Sequence, residues 1–200
     1  MKKVIYLGIL LLSANVLNAQ EPAVYKLRLS YSLLDIPQNL NSAGRYPSMM
    51  QSVELSSNLY DLGFWGIDAA GNAIIRNRNE TTGGKIANTG LKYLLGFGFS
   101  YYGSELPIPL GVFTHEEFHR SVLGVNDISS LNGNWIFNRW DGTVYGLSDE
   151  TLSGLKANRI SDLLYSYVSG VQSENYTTQV NVIEDFFHSR TFYKNPLYLY

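Results

Sequence analysis

The chain has 200 residues, of which 15 are lysine or arginine and 17 aspartate or glutamate, for a net charge of −2. That balance argues against a nucleic-acid partner, and the absence of cysteine excludes disulfides, thiolate metal sites and cysteine nucleophiles. An apolar content of 45% argues against compositional disorder, and the length is enough for one globular domain with a real core.

Residues 1–19 read as a secretory signal peptide. Lys2 and Lys3 form a positive start, residues 4–12 are apolar, and a small, polar stretch follows, with cleavage expected after Ala19. The apolar run falls short of the roughly 20 residues a membrane span needs. The expectation is an exported protein of the bacterial periplasm or cell envelope. Residues 20–85 read as an extended, irregular region. Within it, 24–33 alternate, with Tyr25, Leu27, Leu29, Tyr31 and Leu33 on one face, which predicts a short strand. Residues 35–50 read as loop. In 56–75, Gly63, Gly66 and Gly71 interrupt any regular period, and 76–84 read as a polar turn.

Residues 86–200 read as a helical metal-binding region, in one globular domain with the preceding part. The stretch 86–114 is the most apolar after the leader, and Lys92, Glu105, Pro107 and Pro109 interrupt it. It fits either a buried core helix followed by a loop or a segment in contact with membrane. Pro109 suits the first turn of a helix and Gly124 its stop, so 109–123 is predicted helical. Residues 126–146 read as a long surface loop. Ser148, followed by Asp149 and Glu150, predicts a capped helix start. After a break near Asn158, Leu163, Leu164, Tyr167, Val168 and Val171 recur at helical spacing, and 180–188 read as a separate short helix. The aromatic end, 193–200, has no polar tail, and the chain is expected to continue in a longer form. The fold class is mainly α, with a helical metal site and a short N-terminal β element.

One motif carries chemistry: His115-Glu116-Glu117-Phe118-His119. Residues i and i+4 share a helix face, so two imidazoles can bind one ion. The carboxylate after the first histidine lies beside the open coordination position, where it can accept a proton from water held by zinc. A catalytic zinc usually takes a third protein ligand. Glu174 is the expected one: it sits one turn after Gly170, and the small Ser169 and Gly170 let its helix approach closely. Asp149, Glu150, His188 and Glu105 are the rivals. Glu184 and His188 read as a solvated helical pair. Arg120 either steadies Glu117 or polarises a substrate carbonyl. Phosphate-loop, dinucleotide-binding and G-x-S-x-G patterns are missing.

Over His115 to His119, with the tract from Gly103 to Gly111 before it and Arg120 after, the sequence resembles zincin-type metallopeptidases, in particular uncharacterised exported or membrane-associated members from bacterial envelopes. The resemblance covers about thirty residues. It implies Zn2+, with His115 and His119 as ligands, Glu116 as general base and a peptide or protein as substrate. The alternatives are a non-catalytic envelope binding or structural protein, and the N-terminal fragment of a larger membrane-associated metalloprotease.

Overall fold

The structure is a computed structural model that describes residues 29–33, 47–75, 80–103, 108–133, 143–187, 194 and 196–197. The expected leader at 1–19 lies outside them. In chain order the elements are α1 (Met49–Ile74), α2 (Thr82–Tyr102), α3 (Gly111–Val125), β1 (Leu131–Asn132), β2 (Val144–Tyr145), α4 (Asp149–Asn158) and α5 (Ile160–Phe187). The protein is mainly helical.

α1 starts at a reciprocal cap. Gln51 N–H donates to Ser48 Oγ at 3.1 Å, and Ser48 N–H donates to Gln51 Oε1 at 3.1 Å. Each side chain satisfies a backbone donor that the first turn leaves orphaned. The helix then runs through Gly63, Gly66 and Gly71, against the irregular reading of 56–75. A glycine costs a helix about 1 kcal/mol relative to alanine. Packing offsets that cost at Gly63, which lies against the Phe99 ring, and at Gly71, where a Cβ would come within 2.7 Å of Lys92 Cγ.

The strand expected at 24–33 is not formed where it is described. Residues 29–33 are irregular, and residues 24–28 lie outside the described set. Side chains of α1 take the backbone groups that a sheet partner would have used. Ser30 N–H donates to Asn58 Oδ1 at 3.0 Å, Ser32 N–H to Glu54 Oε2 at 2.5 Å, and Gln51 Nε2 to the Ser32 carbonyl at 2.8 Å. Alternation gave the segment one apolar face but could not supply a neighbouring strand.

The chain divides into two compact units. Among the described residues, one takes those within 61–101 together with 194 and 196–197; the other takes those within 29–60 and 102–187. In the first, α2 joins the later part of α1 through polar contacts. Lys92 Nζ lies 2.6 Å from Asp68 Oδ1, Asn72 Nδ2 donates to Asp68 Oδ2 at 3.0 Å, and Asn88 Nδ2 donates to Asn72 Oδ1 at 3.1 Å. Phe64 and Phe99 meet edge to face, with centroids 5.4 Å apart. α2 buries Lys92, Gly96 and Ser100 and exposes Leu94, Phe97 and Tyr101. This corrects the reading of a buried core helix: Lys92, Gly96 and Ser100 face inward beside Phe99, while much of the apolar surface faces out. No helix among the described residues is long and apolar enough to cross a membrane.

In the second unit, Leu123, Leu155 and Leu163 form a core with Ile128, Val144, Leu147 and Leu152 around them. α3 begins two residues after the expected Pro109 start and runs through Gly124, which is buried inside the helix. The stop comes from Asp127 instead. It takes a left-handed φ of 60° and lets Ile128 N–H reach back to the Leu123 carbonyl at 3.0 Å. The stretch read as surface loop contains the antiparallel pair β1–β2, with Leu131 opposite Tyr145. Ser148 caps α4 as expected, accepting from Thr151 N–H at 3.1 Å. α5 continues unbroken for 28 residues, so the separate helix at 180–188 is part of it as far as Phe187.

Candidate metal centre

α3 carries the histidine motif and is fixed to α1 near its start. Thr114 Oγ1 donates to the Ser52 carbonyl at 3.2 Å, and Gly111 N–H donates to Tyr60 Oη at 3.3 Å. Phe118 is fully buried and sets the rotation of the helix. His115 and His119, four residues apart, share one face, with ring centroids 4.9 Å apart. That face meets the part of α5 where Ser166, Ser169, Gly170 and Ser173 are buried. Short side chains let the two helices approach closely, as the sequence suggested.

The donor atoms converge. One ligand atom each from His115, Glu116 and His119 lie within 4.8 Å of one another. The histidine Nε2 atoms both face Gly170. An ideal Cβ on that residue would lie 2.5 Å from His119 Nε2 and 2.5 Å from His115 Cδ2, and it would also strike His115 Nε2. The missing side chain is what lets both nitrogens come this close to α5, and it turns them toward one point. Glu116 is only 3% exposed, and its carboxylate belongs to this group of converging donors rather than to bulk water.

The opposite ring edges are held by α5. His119 Nδ1–H donates to the Ser166 carbonyl, with Ser169 Oγ a second acceptor at 3.3 Å. Ser169 Oγ itself donates to the Ser166 carbonyl at 2.9 Å. His115 Nδ1–H donates to Glu174 Oε1 at 3.3 Å. Burial holds His119 below the usual histidine pKa, partly opposed by its bond to Ser166 and reinforced by the neighbouring His115. A neutral imidazole is the state a metal requires.

Behind the face lies a buried ion pair. Glu117 accepts from Arg120 Nη1 and, at 2.7 Å, from Asn132 Nδ2 of β1. Arg120 Nη2 donates to the Ser130 carbonyl at 3.0 Å, and Asn132 Nδ2 also donates to the Phe113 carbonyl at 3.2 Å. Burial pushes the Glu117 carboxyl above its ordinary range, while Arg120 and Asn132 pull it back down. Arg120 is committed to this pair.

The structure thus brings His115, Glu116 and His119 together and sets Glu174 beside His115 at Nδ1. Asp149 and Glu150 form the first turn of α4. Glu105 and His188 lie outside the described residues. Sequence reasoning missed the Ser166 carbonyl, because a main-chain acceptor has no residue signature, and it missed Asn132, whose polar neighbours read as loop. No protein-family model, curated protein or solved structure matches the chain.

Proposed function

We propose that the protein is a zinc-dependent metallopeptidase acting in the bacterial cell envelope, with the ion held by His115 and His119. The observation that carries this reading is the convergence of both Nε2 atoms on the side-chain-free face of Gly170, with the Glu116 carboxylate alongside. The donor set of two imidazoles and a carboxylate suits zinc. Bound zinc supplies a Lewis acid that polarises a scissile carbonyl and acidifies water. Glu116 accepts the proton from the attacking water on a carboxylate oxygen and delivers it to the departing amine nitrogen. Its low exposure keeps that proton from exchanging with bulk water before it is delivered. Ser166 and Glu174 hold the imidazoles by their Nδ1 edges, and Gly170 lets both Nε2 edges come together against α5.

The test is Glu116→Gln. Zinc content is expected to stay at one per chain while hydrolysis of an unstructured protein such as casein falls by at least ~100-fold, the range expected for a lost general base. Full activity in this variant sinks the reading.

The close grouping of Glu116 with the histidine nitrogens favours one alternative, a closed structural site in which Glu116 is itself a ligand. There the same variant loses its metal.

A further inference from the structure

We infer that α5 is the orienting helix of the metal centre and that Glu174 acts there as a positioning residue for His115 rather than as a ligand. The inference rests on the metal reading above and deepens it. Each imidazole has two nitrogens, and a bond at one decides which lone pair is free at the other. Both Nδ1 atoms are engaged by α5: His119 through the Ser166 carbonyl and Ser169 Oγ, His115 through Glu174 Oε1. All three partners accept, so both protons sit on Nδ1 and both Nε2 lone pairs are free. Those lone pairs point to the one position on α5, Gly170, that has no side chain.

The spacing on α5 matches these tasks. Ser166 and Gly170 are one turn apart, as are Gly170 and Glu174, so acceptor, gap and acceptor follow one another along a single helix face. A carboxylate that accepts from a ligating histidine fixes the ring and raises its basicity, and removing such a partner typically weakens metal binding about 10–100-fold. Glu174 is 62% exposed on its side chain, so it can be replaced without disturbing the core.

Two measurements on the full chain test this. In metal-free protein at pH 7.5, long-range proton–nitrogen spectra of the imidazoles should show both histidines protonated at Nδ1. Glu174→Ala should return His115 toward Nε2 protonation and leave His119 unchanged. Titration with cobalt(II) should then give the same absorption bands in wild type and Glu174→Ala, with affinity weaker by about 10–100-fold in the variant. Glu174→Gln, whose amide oxygen still accepts, should recover most of that loss. A changed band pattern in Glu174→Ala would show a lost ligand and overturn the positioning role, as would Nε2 protonation of His115 in wild type. Both results leave the metal reading intact. Failure of the wild-type chain to take up cobalt overturns the metal reading itself, and the spectra of the metal-free rings tell the two failures apart.

Discussion

The two units use glycine and buried charge in opposite ways. In the α1–α2 unit, Gly63 and Gly71 receive Phe99 and the Lys92 stem, so the space left by each missing side chain is filled. In the α3–α5 unit, Gly170 faces the Nε2 edges of two imidazoles, which with Glu116 form a group that could hold a metal ion. The ion pairs differ as well. Lys92–Asp68 is partly open, with side-chain exposures of 11% and 26%, whereas Arg120–Glu117 is closed, at 8% and 1%. A glycine between helices therefore becomes a candidate site only where polar atoms, not carbon, stand opposite it. Buried charge next to such a position serves to fix the helix that carries those atoms.

Substitutions in the two units should separate accordingly. The largest effect is expected for Arg120→Ala. It strands the buried Glu117 carboxylate and should cost about 3–5 kcal/mol in denaturant unfolding, whereas Lys92→Ala should cost clearly less because Asp68 can be hydrated. Equal losses would erase the distinction between the two pairs. Next comes Gly170→Ala, which should reduce zinc or cobalt affinity by at least ~100-fold, judged against the loss of a supporting partner, with the circular dichroism spectrum retained. Gly63→Ala should leave metal affinity alone and instead lower stability by about 1–3 kcal/mol, since Phe99 has to move. A drop in metal binding for Gly63→Ala would contradict the division of roles.

Ser148→Ala, which removes the cap of α4, should cost about 1 kcal/mol and leave metal affinity unchanged. The smallest effect concerns pH. His119 titrates below 6.5 in the folded protein because it is buried. As pH falls through 6.5 the unfolded chain takes up this proton first, so the metal-free protein should lose stability until the folded value is passed. Chemical denaturation between pH 7.5 and 5 should show that slope, and His119→Gln should reduce it.

The start of α4 and the shared face of the two histidines were readable in the sequence, because both depend on local pattern. Ser148 with Asp149 and Glu150 marked a cap, and the four-residue spacing of His115 and His119 placed two rings on one face. The small residues at 169 and 170 also announced a close approach. Much of what was not readable depended on partners distant in sequence. Residues 29–33 alternate like a strand, yet side chains from α1 take up their backbone groups. Glycines that look like interruptions in 56–75 are continuous helix, because Lys92 and Phe99 pack where the side chains are missing. Gly124 looks like a stop, but Asp127 supplies the left-handed turn. At the site, the direction of each imidazole depends on a main-chain carbonyl and on Glu174, and neither relation has a spacing rule.

The twin nitrogen lone pairs opposite Gly170 also bear on elemental preference. Magnesium and calcium favour shells made wholly of oxygen and gain little from imidazole. Among first-row divalent ions, affinity for such nitrogen donors climbs from manganese to copper and then drops at zinc. Copper should therefore outcompete zinc for the bare donors in a test tube, and which element resides there in the cell follows from supply in its compartment.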